Sequence, residues 1–176
     1  MILNLIENTE PILHEKLERF DFGNPPVDPS ELAINLTETM LKNDGIGLAA
    51  NQVGLPYRVF VIRCSPVLCC FNPIIVDTSI ERIKMEEGCL SYKGLILNIE
   101  RPKSIRVRFT LPNGETKTEK FTGMTARIFQ HEYQHLNGEI FTNNLTRLEL
   151  EMAIKKANKK YETKYKISDF RCKIKT

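Results

Sequence analysis

The sequence predicts an α+β fold, with mostly antiparallel β-sheets around a central metal-binding helix, one helix N-terminal to the sheets and one C-terminal. Strand-like runs crowd the middle of the chain, between about residues 58 and 121. Capping signatures mark a helix start on either side of that block, at Asp28-Pro29 and at Thr146. Between the last strand and the last helix lies His131-Glu132-Tyr133-Gln134-His135, where two histidines four apart share one helix face and can grip a single ion.

The 176 residues read as a single domain over 1–176, with about 165–176 as a loose basic tail. A content of 41% apolar and 27% charged residues is ordinary for a globular chain. No apolar stretch reaches membrane-spanning length, and Met1 to Asn8 lacks the basic start and apolar run of a secretory signal. Five cysteines, Cys64, Cys69, Cys70, Cys89 and Cys172, have no zinc-ribbon spacing, and the adjacent Cys69-Cys70 suits buried thiols. A reducing cytoplasm is the simplest setting. Residues 150–176 carry nine Lys/Arg against three Asp/Glu, which suits a solvated helix face better than a polyanion site.

Taken in order, Gly23-Asn24-Pro25-Pro26-Val27 is a loop. Asp28 as N-cap, Pro29 as first helical residue and Glu31 as capping partner start a helix that runs to about Asn43, with Leu32, Leu36 and Met40 on its apolar face. Strands follow at Arg58–Arg63, Val67–Val76, Leu95–Glu100 and Ser104–Leu111. Pro112-Asn113-Gly114 turns the last of these back through Lys117–Phe121. The metal helix begins between Thr122 and Thr125 and stops before Gly138. The last helix starts at Thr146, with Glu149 completing a capping box and Leu145 placed to staple onto Leu150; Ala153, Ile154, Ala157 and Tyr161 keep its apolar spacing.

The chemistry follows from the pentad. Glu132 sits next to the first histidine, where it can accept a proton from metal-bound water, so metal-assisted hydrolysis is the leading reaction class. A catalytic metal commonly takes three protein ligands and keeps a further position open. The only other histidine is His14, in a polar segment far upstream. The extended protease pattern H-E-x-x-H-x-x-G-x-x-H finds its glycine in Gly138 but Phe141 where its third histidine belongs. Cys89 is the better third ligand, since a thiolate with two imidazoles suits zinc or ferrous iron.

Gly45-Ile46-Gly47-Leu48-Ala49-Ala50-Asn51-Gln52-Val53-Gly54 is too rich in glycine and alanine for an ordinary helix-to-strand link, and it lacks the ending of a phosphate loop. Together with Glu87-Gly88-Cys89-Leu90-Ser91 and Gln130-His131-Glu132-x-x-His135-Leu136, it resembles the signature of peptide deformylases, and the likeness extends from Pro11-Ile12-Leu13 to the last helix. That resemblance implies hydrolytic removal of the formyl group from the N-terminal formyl-methionine of nascent polypeptides. It implies Cys89, His131 and His135 as metal ligands, with Fe2+ as the native ion and Zn2+, Ni2+ or Co2+ as alternatives. Glu132 would act as the general base, while the Gln52 side-chain amide and the Leu90 backbone N–H would face the oxyanion. Gly47 would pair with the substrate backbone, and Ile46, Ile128 and His131 would line the methionine pocket. It further implies N-formylmethionyl peptides as partners, a monomer, no membrane, and a weak ribosome contact through the basic C-terminal helix.

Two positions depart from the Ser-x-Pro-x-x-Arg pattern of many bacterial members: Lys93 replaces the proline and Ile96 the arginine. Both bear on preference beyond methionine, and Lys93 reads equally as a displaced charge or a solvated lysine. Two other readings rank below: a metalloprotease or other amidase with Glu139 or Glu149 as third ligand, and a non-catalytic binding module that kept the fold.

Overall fold

A computed structural model describes residues 1–170, and residues 171–176, Cys172 among them, lie outside the described part. Helix α1 spans Pro29–Lys42, and the Asp28 carboxylate accepts from the Glu31 N–H at 2.7 Å, as its capping sequence requires. Its buried face includes Leu32, Leu36 and Met40. Strands β1 (Gly47–Ala49), β2 (Val59–Ile62), β3 (Leu68–Thr78), β6 (Ser104–Thr110) and β7 (Thr116–Thr122) form one antiparallel sheet in the order β1-β2-β3-β6-β7. Strands β4 (Arg82–Glu87) and β5 (Leu97–Pro102) form a second, two-stranded sheet.

Helix α2, Gly123–Leu136, packs on one face of the larger sheet and α1 on the other. β2 is therefore apolar at every position: Phe60 and Ile62 face α2, while Val59 and Val61 face α1. β3 bends where Asn72 adopts φ 49°, and the Asn72 amide bonds both backbone groups of Phe20, at 2.8 and 2.9 Å. Helix α3, Arg147–Tyr161, begins with the Thr146–Glu149 capping box and covers the two-stranded sheet through Leu150, Ile154 and Ala157. Leu145 and Leu150 join the same cluster, as their stapling positions predict.

Two strands have no counterpart in the sequence reading, β1 and β4. Of the tail expected over 165–176, Phe170 is 4% exposed and stacks on Tyr92 with ring centroids 5.3 Å apart, and residues 171–176 lie outside the described part. No described helix is long and apolar enough to cross a membrane.

Candidate metal centre

Helix α2 is the axis of the site. Its residues 126–132 are all buried, so the helix carries polar side chains into the interior instead of onto a surface. Its C-terminal carbonyls, which have no partner within the helix, are met from outside. Asn51 Nδ2 donates to the His135 carbonyl at 2.7 Å, and Arg58 Nη1 to that of Leu136 at 2.8 Å. The helix is thereby fixed along its length as well as sideways.

Cys89, on the turn after β4, reaches the same face as the histidines. The Cys89 sulfur and the two imidazoles offer ligand atoms all within 4.8 Å of one another, and Cys89 Sγ lies 3.2 Å from His135 Nε2. Among the described residues this is the single cluster of three such donors. Glu139 is exposed, Glu149 is held in the α3 capping box, and neither belongs to it. Phe141, at the third-histidine position of the protease pattern, packs its ring against His131 with centroids 5.3 Å apart. His14 ends a 3-10 turn outside the cluster.

The donors fit a cation. Burial pushes both imidazoles down, so each is neutral at pH 7 with a lone pair to offer. His131 Nδ1 lies 3.1 Å from Glu87 Oε2; a carboxylate only accepts, so Nδ1 carries the proton and Nε2 is left for an ion. Burial, and secondarily Glu132, push the Cys89 thiol up to about 12, despite bonds from Ser91 and the Tyr92 backbone. Only an adjacent positive charge would make it a thiolate at neutral pH, which is what a metal provides.

Glu87 anchors a buried network. Arg101 grips it with Nε at 2.6 Å and Nη2 at 2.8 Å, and Arg127 Nη1 adds a third bond at 2.8 Å. The same guanidinium groups reach Gln134 Oε1 and the carbonyl of Ile99, so β4, β5 and α2 are tied at one carboxylate. Burial alone would raise the Glu87 carboxyl, but hydrogen bonds from Arg101 and His131, with the Arg101 charge, hold it at about 2. Arg101, Arg127 and Gln134 are site residues that the sequence reading missed; an arginine four residues before His131, on the buried face of α2, was the available signal.

The remaining candidates line a cavity of about 640 Å³ with Glu132, Cys89 and His131 on its floor: Ile46, Gly47, Gln52, Leu90 and Ile128. Gln52 is oriented by its Oε1, which accepts from the Ala49 N–H at 2.8 Å. Its Nε2 then points to Ser91 Oγ at 3.0 Å and Cys89 Sγ at 3.5 Å. Glycine at 47 leaves Glu132 its place, since a Cβ there would overlap Glu132 Oε1 and stand 2.7 Å from Ile128. Burial pushes the Glu132 carboxyl up to about 8, and its Oε2 is buried with no hydrogen-bond partner among the described residues. Ile128 is buried, whereas Ile46, Ile96 and Met124 are exposed apolar side chains at the mouth beside Lys93. A fixed pair of neutral imidazoles, a thiol awaiting a cation and a carboxyl near neutrality make a centre suited to hydrolysis.

The chain is similar to proteins of one known family. A family model described as Polypeptide deformylase matches residues 2–151. The peptide deformylase of Wolbachia pipientis subsp. Culex pipiens (strain wPip) is 38% identical over 143 residues, covering 73% of this chain and 80% of that protein. That of Bartonella tribocorum is 35% identical over 169 residues, 92% and 94% of the two chains. A crystal structure of a peptide deformylase from Synechococcus elongatus in complex with actinonin superposes with a TM-score of 0.85 at 33% identity, over 97% of this chain and 90% of that one.

Proposed function

The chain belongs to the polypeptide deformylase family, and on that premise we propose that it hydrolyses the formyl group from N-terminal formyl-methionine with Glu132 as its proton shuttle. The observation that carries this reading is the buried, unpartnered Glu132 Oε2 beside a cavity that Cys89 and His131 also line, with His135 completing their donor cluster.

Cys89, His131 and His135 would hold one divalent ion, ferrous iron first by resemblance, with zinc, nickel or cobalt as alternatives. Bound there, the metal supplies Lewis acidity, which makes water a better acid and the formyl carbon a better electrophile. Glu132 takes a proton from the attacking water and passes it to the leaving amine. Its carboxyl, which burial pushes up to about 8, would come down beside a cation held by these donors, toward the range where it can both accept and donate. The Gln52 amide, already turned toward the sulfur, and the Leu90 N–H donate to the tetrahedral oxyanion. Gly47, on the outer strand of the sheet, leaves room for an extended substrate backbone, and Ile46, Ile128 and the His131 ring wall the methionine side chain.

Formate release from a formyl-Met-Ala-Ser peptide by anaerobically prepared ferrous protein tests the reading. We expect turnover by the parent and a fall in kcat of about 10²–10⁴-fold in Glu132→Gln. A metal-loaded parent that releases no formate overturns it. The same reading includes a monomer acting in the cytoplasm and a weak ribosome contact through Lys155, Lys156, Lys159 and Lys160, all exposed on α3. Cosedimentation unchanged in a variant with these four lysines replaced by glutamine would remove the ribosome contact.

A further inference from the structure

We propose that the segment from Tyr161 to Phe170, at and beyond the end of α3, is a clamp that positions the turn carrying Cys89 and Leu90 and so governs how firmly the centre retains its metal. The inference rests on the functional reading above.

The turn has two sides. Its front lines the cavity with Cys89, Leu90, Lys93 and Ile96. It spans residues 88–96, between the last β4–β5 pair, Glu87 with Leu97, and its internal backbone bonds are Tyr92 N–H to the Cys89 carbonyl and Leu95 N–H to the Tyr92 carbonyl, both 3.0 Å. So sparse a ladder leaves its position to its neighbours: Gln52 in front, bonded to Ser91 Oγ at 3.0 Å, and whatever packs behind it.

Behind it lies the C-terminal segment, which touches three consecutive residues. The Tyr92 ring stacks on Phe170 at an interplanar angle of 28°. The Tyr165 hydroxyl donates to the Lys93 carbonyl at 3.0 Å. The Tyr161 side chain closes on Gly94, where a Cβ would stand 2.5 Å from its Cδ2 and the backbone holds φ 80°. Glycine at 94 thus admits both the turn and the ring.

The clamp is itself built. Glu162 ends α3 at φ 54° and reverses the chain. Asn158 then fixes the returning segment, its Nδ2 donating to the Tyr165 carbonyl and its Oδ1 accepting from the Tyr165 N–H, both at 3.0 Å, and from Thr163 Oγ1 at 2.8 Å. Tyr161, Tyr165 and Phe170 line no part of the cavity. They are positioning residues, acting through the turn on a ligand and an oxyanion donor.

The test uses the full-length chain with Tyr165→Phe, which removes one hydroxyl, and Phe170→Leu, which keeps apolar bulk but loses the stacked ring. Thr146→Ala, at the far end of α3, controls for general destabilisation. Three readouts are compared: amide hydrogen exchange over 88–96 in metal-free protein, release of bound zinc to a chelator, and kcat and KM for a formyl-methionyl peptide. We expect exchange and zinc release to rise about two- to tenfold in Tyr165→Phe, as for loss of one hydrogen bond, and further in Phe170→Leu. KM should change less than kcat, and Thr146→Ala should match the parent in exchange and release. Parental exchange and release in both clamp variants, or an equal rise in Thr146→Ala, overturns the clamp while a formate-releasing parent keeps the functional reading intact. A parent that binds no zinc overturns both.

Discussion

Where the five-stranded sheet meets the cavity it brings Gly47 on an outer strand and Gln52 just beyond it; where the two-stranded sheet meets it, it brings Glu87 and the turn with Cys89 and Leu90. The larger sheet holds its contribution by apolar burial on both faces, with Phe129 of α2 packed edge-on against Phe60 at 4.9 Å. The smaller sheet packs apolar side chains against α3, but its link to α2 runs through one carboxylate and two arginines, all buried. Apolar packing sets a position through the fit of many weak contacts. A buried ion network sets it through a few directional bonds, and loses it abruptly when one partner goes. The candidate metal donors straddle this divide: two imidazoles on the packed helix, His131 also bonded to Glu87, and one thiol on the ion-braced side.

The difference can be broken by substitution. Arg101→Met leaves Glu87 with one guanidinium, and we expect roughly 3–5 kcal/mol of lost stability together with about 10–100-fold weaker metal binding. Denaturant unfolding and chelator competition read the two separately. Phe129→Ala should cost about 3–5 kcal/mol through the cavity it leaves, yet the metal affinity of the protein that remains folded should stay near the parent's. If Phe129→Ala loses metal as Arg101→Met does, the two sides are not independent. At their meeting point, Gly47→Ala drives a methyl group into Glu132, and about 1–3 kcal/mol of strain should appear as lost kcat/KM with little change in zinc release. Smallest is Thr146→Ala, where the lost cap should cost about 1 kcal/mol, seen as a lower Tm with metal retention unchanged.

What the sequence disclosed divides along the same line. Local signals located α1, α3 and the β6–β7 hairpin, because Asp28, Thr146 and Gly114 act on residues within a turn of themselves. The metal donors were legible because two of them share one helix turn. β1 was not, since three residues in a glycine-rich stretch become a strand only once β2 lies beside them. β4 alternates as a strand should, with Ile83 and Met85 less exposed than Arg82, Lys84 and Glu86, but so many charges obscure the pattern. The Glu87 network was hidden most deeply. Its partners stand 14 and 40 residues away, and buried arginines carry no periodic signature that separates them from surface ones.

The outer position of β1 has a further consequence. A strand that leaves one flank unpaired for a visiting peptide also offers it to a second copy of the protein, the usual beginning of aggregation. β1 is only three residues long. Glu132 and Ile128 crowd it from one side, and Asp44 and Glu86 stand at the cavity mouth. An incoming strand would find too short a template, recessed and flanked by charged side chains, Lys93 as well as Asp44 and Glu86, whereas the start of a flexible peptide can reach in. The shape that admits one extended chain end thus also protects the molecule from its own kind.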